Sequence, residues 1–127
     1  DRTRLYRRMA VIDTLPQADD LAREIADRFG PAPAEVSTLI DVLRMRVFAH
    51  IAGARSIGNE GGWAVVRWPE SRAIDRAALK AQLDSGSRVG SHLVSVPIVG
   101  PPERWAPRLL ETLARIAEVE QRLAGPV

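Results

Sequence analysis

Cysteine is absent from this chain of 127 residues, so disulfides and thiolate metal sites are excluded. Histidine is scarce, and His50 and His92 lie far apart in the sequence. A zinc site needs three or four ligands, so no metal centre is expected. No apolar run approaches the ~18 residues that a membrane span requires, and no membrane association is expected. Asp1–Arg8 carry no apolar signal-peptide core, so the expectation is a cytoplasmic protein. The helical pattern begins abruptly, which suggests a piece cut from something larger. Catalytic signatures are missing as well. Gly58-Asn59-Glu60-Gly61-Gly62 lacks the G-K-[ST] ending of a phosphate-binding loop and reads as a hairpin turn. There is no G-x-S-x-G elbow, and Ser91 and His92 are strand neighbours that point to opposite faces. No catalytic residue and no bound cofactor are therefore expected.

A strong charge of one sign is missing too. The net charge is +2, although the pI is near 9.9. With no cysteine, a single lysine and a single tyrosine, little titrates between neutrality and pH ~10, so a small arginine excess lifts the pI steeply. Acids and bases alternate along the chain, as on solvated helix faces. The one local excess is Arg2, Arg4, Arg7 and Arg8.

What remains is an ordinary globular balance, 46% hydrophobic and 27% charged, at a length that suits one domain spanning residues 1–127. Residues 3–12 read as a helix with Leu5, Met9 and Ile12 on one face. Thr14 and Gln17 have capping-box spacing, and Pro16 fits the first turn of a second helix. Leu21, Ala22, Ile25 and Phe29 form its apolar face, and Gly30 ends it. A third helix opens at Pro33, carries Val36, Leu39, Ile40, Leu43, Val47 and Ile51, and ends at Gly53. The period then switches to two. Ser56–Gly58 and Trp63–Trp68 flank a loop and form a hairpin. Asp75 caps a short helix, with Ile74 and Leu79 at hydrophobic-staple spacing. Leu93–Val99 is a last strand, and Pro97 makes it an edge candidate. A final helix runs from about Pro107 to Leu123, buries Leu109, Leu113, Ile116 and Leu123, and stops at Gly125-Pro126. The expected class is α+β, with helices packed on a small, mostly antiparallel sheet and a long C-terminal helix.

Three groups of residues are candidates for function. Asp20, Glu24 and Asp27 make an acidic stripe on the second helix. The same acids could instead serve the i,i+4 pairs Glu24–Arg28 and Arg23–Asp27. Trp63 and Trp68 point to opposite faces of one strand, so one packs under the helices and the other is covered by the last helix or partly exposed. The Arg2–Arg8 group could meet phosphate or simply face solvent.

Leu5-Tyr6-Arg7-Arg8-Met9-Ala10 followed by Glu24-Ile25-Ala26-Asp27-Arg28-Phe29-Gly30-Pro31-Ala32-Pro33 resembles the C-terminal domain of the bacterial transcription-repair coupling factors (Mfd). That family has an L-Y-[KR]-R-[ILM]-A helix and then E-L-x-D-R-F-G-x-x-P. The likeness spans the chain, is most specific over residues 5–33, and after about residue 68 rests on element order alone. The resemblance implies a parent that is an ATP-dependent DNA translocase, with ATP and Mg in motor domains upstream. Such a parent binds RNA polymerase, the excision-repair protein UvrA and double-stranded DNA. It implies that this domain is a non-enzymatic regulator that masks the UvrA-binding module of the same protein. Carried over by position, Glu24 and Asp27 are the contacting acids, Arg28 is their motif neighbour, and Asp20 extends the stripe. The alternative is an accessory DNA-binding domain of a helicase-type repair protein, acting through Arg2–Arg8 or an exposed tryptophan.

Overall fold

The computed structural model describes residues 2–124, with the side chains of Arg2, Leu123 and Ala124 left out. Three helices come first: α1 (Arg2–Ala10), α2 (Leu15–Phe29) and α3 (Ala34–Ile51). A hairpin follows, β1 (Ser56–Glu60) and β2 (Trp63–Arg67), then α4 (Arg76–Gln82), β3 (Arg88–Val89), β4 (Leu93–Pro97) and α5 (Pro102–Ala124). The four strands form one sheet in the order β1-β2-β4-β3, and every neighbouring pair is antiparallel. The α+β architecture is thus as expected.

Local chemistry explains most boundaries. Thr14 caps α2, its hydroxyl accepts from the Gln17 N–H, and the Gln17 side chain returns the bond to the Thr14 N–H. Such a reciprocal cap satisfies two otherwise orphaned donors. Gly30 ends α2 at φ 77°. Asp75 caps α4 by accepting from the Ala78 N–H at 3.1 Å, and the staple residues Ile74 and Leu79 are both buried. Glu60 pairs with Trp63, so the hairpin turns on Gly61-Gly62 alone, with φ of 57° and 84°. Two positive φ values in a row are what a two-residue primed turn requires. β1 consequently runs two residues further than Ser56–Gly58.

Two hydrophobic clusters share α3. Ile40 and Leu43 join Met9, Leu21 and Ile25 in the helical lobe. Met45, Ala49 and Ala52 join Val66, Trp68, Leu79, Val94, Leu113 and Ile116 between sheet and α5. A helix buried on two sides has no single apolar stripe. Leu39 and Ile51, which share the expected stripe, are 41% and 36% exposed. Trp68 is the sheet's anchor: it is 2% exposed, and its indole N–H donates to the Ala52 carbonyl at 2.9 Å.

Three expectations need correction. Phe29 does not join the buried face of α2; it is 69% exposed, at the last turn. β4 is not an edge strand, because β3 pairs along Val94 and Ser95. Pro97 is tolerated for a geometric reason. The Ile98 N–H donates to the Gly62 carbonyl, so the neighbouring Pro97 nitrogen faces the other side, where β3 does not reach. Finally, α5 starts at Pro102, five residues before Pro107. Proline is at home in the first turn, where its missing N–H has no partner to lose. Trp105 and Ala106 thereby become helical and pack on the sheet. Gly125 and Pro126 fall outside the described residues, as does the Leu123 side chain.

Candidate functional site

α1 folds back along α2. Leu5 and Arg8 lie beside Glu24 and Ile25, whereas Val11 and Ile12 lie beside Gln17 and Leu21. At the C-terminal end of α2 the two helices leave a groove of about 280 Å³. Leu5, Ile25 and Phe29 form its apolar wall, and Arg4, Arg8, Glu24 and Arg28 its charged rim. The structure therefore brings Glu24 and Arg28 to one groove. Asp27 sits on the exposed side of the same helical turn, and Asp20 lies nearly two turns earlier.

Neither i,i+4 pair considered from the spacing is made. Glu24 pairs instead with Arg8 of α1. Their side chains are 36% and 44% exposed, so this bridge is less screened than a fully solvated one. Arg23 turns back to Asp20. Asp27 and Arg28 are exposed and make no ion pair among the described residues. The acidic stripe thus divides into two acids with internal partners, Asp20 and Glu24, and one without, Asp27. Exposed pairs of this kind contribute about 0–1 kcal/mol each, so they add little to the stability of the fold. Phe29, beside them, is an exposed aromatic ring where the apolar pattern of α2 implied a buried one. Its place on the last helical turn, next to Gly30 and Pro31, was the available signal.

The arginine group of α1 is not one continuous surface. Arg8 is engaged with Glu24 and Arg4 lines the groove, whereas Arg7 is exposed. Trp63 lies on the outer sheet face, half-buried, with the Arg88 guanidinium 4.6 Å from its ring centre. A cation already covers that ring. Trp105 packs against the sheet–α5 core. His50 and His92 do not meet in a ligand set, and no group of three His, Asp or Glu among the described residues could hold a metal. No helix among them is long and apolar enough to cross a membrane.

A second charged feature ties α2 to α3. Arg44 bridges Asp19 at 2.9 Å and Asp41 at 3.6 Å. Burial pushes the Asp41 carboxyl above its usual range, and Arg44 only partly offsets this.

Fold and site together define an α+β domain whose helical lobe ends in an exposed, charged and aromatic helix terminus. The chain belongs to the TRCF domain family, whose model matches residues 1–79. The transcription-repair-coupling factor of Escherichia coli (strain K12) is 34% identical over 79 residues, covering 61% of this chain and 7% of that protein. The Staphylococcus epidermidis (strain ATCC 35984) transcription-repair-coupling factor is 33% identical over 57 residues, covering 45% of this chain and 5% of its own. The chain thus spans less than a tenth of these relatives. A crystal structure of the C-terminal domain of a transcription-repair coupling factor matches with TM-score 0.70 and 15% identity, over 95% of this chain and 79% of that one. At that identity the match shows the fold, and it extends the likeness beyond residue 79.

Proposed function

We propose that this domain is a regulatory latch. At rest it covers the UvrA-binding module of its own protein, and it lets go when the ATP-dependent motor engages stalled RNA polymerase. The parent is then an ATP-dependent translocase on double-stranded DNA, working in the cytoplasm, with ATP and Mg bound outside this domain. The domain itself contributes binding and no catalysis. Membership of the TRCF domain family and the names of the relatives support the repair context. The observation that carries the latch is the exposed Asp27 and Arg28, which make no ion pair among the described residues, beside the exposed Phe29 on the helix that bears the family motif.

Physical scale favours a switch. A polar surface with one aromatic anchor gives a modest contact that can open. Shifting such an equilibrium almost completely needs only about 5 kcal/mol of differential contact. Within this reading Asp27 meets basic residues of the module directly. Glu24 meets them by sharing its carboxylate with Arg8, Asp20 by sharing with Arg23, and Arg28 frames the groove.

Titration calorimetry of this chain against the isolated UvrA-binding module tests the reading. Asp27→Lys is the cleaner variant, because Glu24→Lys would also strip Arg8 of its partner. Wild type binds, and Asp27→Lys weakens binding about tenfold or more, equal to ~1.4 kcal/mol. Its melting temperature stays that of wild type. A wild type that does not bind, or a variant that binds equally well, refutes the latch.

A further inference from the structure

A second depression of about 280 Å³ lies where α3 ends and β1 begins. Arg46 and His50 reach it from α3, one helical turn apart, and Arg55 and Ser56 reach it from the chain that follows. Ala49, Ala54 and Ile57 make its floor, and no acid among the described residues lines it. Arg46, His50 and Arg55 are all exposed, and their side chains make no hydrogen bond or ion pair among the described residues.

These cations are not needed to finish the helix. Three of the last four carbonyls of α3 are already taken: Phe48, Ala49 and His50 accept from the Ala52, Ala54 and Gly53 N–H groups, each at 2.9 Å. The helix dipole favours a cation here, but its C-terminal charge of roughly −0.5 is far smaller than what two guanidiniums bring. The backbone beneath is held, since the Arg55 N–H donates to the Arg67 carbonyl at 2.8 Å. The result is an open, acid-free cavity with two planar guanidiniums, an imidazole and a hydroxyl on a fixed frame.

We propose that this depression seats a phosphate of a nucleic-acid backbone. Guanidinium forks match phosphate oxygens in pairs. The small apolar floor suits a sugar. No Trp, Tyr or Phe among the described residues lines the cavity, and its charged groups match phosphate rather than base edges, so the contact is with the backbone and independent of sequence. It lies on different elements from the α1–α2 groove and does not rest on the latch. It also differs from a DNA contact through Arg2–Arg8.

Amide NMR titration of the 127-residue chain tests the assignment. The probes are a DNA duplex of about 20 base pairs at low salt, a second duplex of unrelated sequence, and inorganic phosphate alone. Both duplexes shift amides within 46–57 with similar affinity. Arg46→Ala with Arg55→Ala weakens duplex binding about tenfold and lowers the slope of log K against log salt by about 1. Ser56→Asp, a single surface change, weakens it similarly by placing a carboxylate in the cavity. Arg4→Ala with Arg7→Ala leaves the 46–57 shifts in place. All three keep the wild-type melting temperature, which a purely structural role for the arginines would not allow. The proposal is overturned by a duplex that leaves 46–57 unshifted whether or not inorganic phosphate shifts them, by strong sequence preference, or by variants that bind like wild type.

Discussion

Glu120 is the one fully buried charged side chain among the described residues, and its partners set a graded prediction. Its carboxylate accepts from Arg72 Nη2 at 3.2 Å and from the Asp75 N–H at 3.2 Å. The same Arg72 nitrogen reaches the Glu120 carbonyl at 3.4 Å. The network thus ties α5 to the loop that leads into α4. It is incomplete, because Arg72 Nε is buried without a partner. The two deletions are not equivalent. Glu120→Ala releases Arg72, which is 32% exposed and can turn to water, but strands the Asp75 N–H. Its expected cost is about 2–4 kcal/mol. Arg72→Ala leaves a carboxylate of 0% exposure with one backbone donor, and its expected cost is larger, about 3–5 kcal/mol. Replacing both by apolar residues, Arg72→Met with Glu120→Leu, recovers most of the loss, because no charge is then left buried. Urea melts followed by circular dichroism at pH 7 measure all three. Added salt of about 0.5 M changes the differences little, since buried pairs are weakly screened. If Arg72→Ala costs less than Glu120→Ala, or if either costs under about 1 kcal/mol, the reasoning from burial is wrong.

Gly53 sits at φ 81°, and a Cβ there would overlap the Arg72 guanidinium. Gly53→Ala therefore destabilises by about 1–2 kcal/mol from backbone strain alone, and by less than the sum when combined with Arg72→Ala, as thermal melts of the double mutant will reveal. Asp41 gives a pH signature. Its folded pKa is raised, so the folded state binds protons more tightly than the unfolded one. The contribution of this group is fully present below the ordinary carboxylate pKa and is lost as pH rises through the raised value. Asp41→Asn should therefore be relatively more stable than wild type at pH 7, with the difference closing in acid; a pH-independent difference in urea midpoint would contradict this. Phe29→Ser, at an exposed position, changes stability by no more than about 0.5 kcal/mol. Leu21→Ala, at 1% exposure on the same helix, costs about 2–5 kcal/mol, and equal costs in the same melts would put Phe29 back in the core.

Elements governed by neighbours in sequence were readable. The Thr14–Gln17 box, the Asp75 cap and the Gly30 stop each depend on four or five consecutive residues, whereas the hairpin was readable but its loop shrank from four residues to Gly61-Gly62. Elements defined by distant partners were not. β3 is two residues long and exists only through its pairing with β4. The candidate site divides in the same way. Its helix and its motif were visible in the residues, but the spacing offered Asp27 and Arg28 partners that the structure gives to other residues. The Arg8–Glu24 bridge and the outward turn of Phe29 were not, because no spacing rule relates residue 8 to residue 24.

The amino-acid sequence by itself determined the class, the capped start and glycine stop of α2, the start of α4 and the family, because caps, turns and periodicity act within a few residues. It also determined what this chain lacks, from thiolate chemistry to a continuous basic stripe. Tertiary structure alone decided which face of α3 serves which cluster, and that Glu120 is the buried acid rather than one of the candidates on α2. It alone gathered Arg46, His50, Arg55 and Ser56 around one cavity. The reason is physical: desolvation and ion pairing depend on what the folded chain brings alongside, and two-sided burial of α3 erases the single stripe from which a sequence is read.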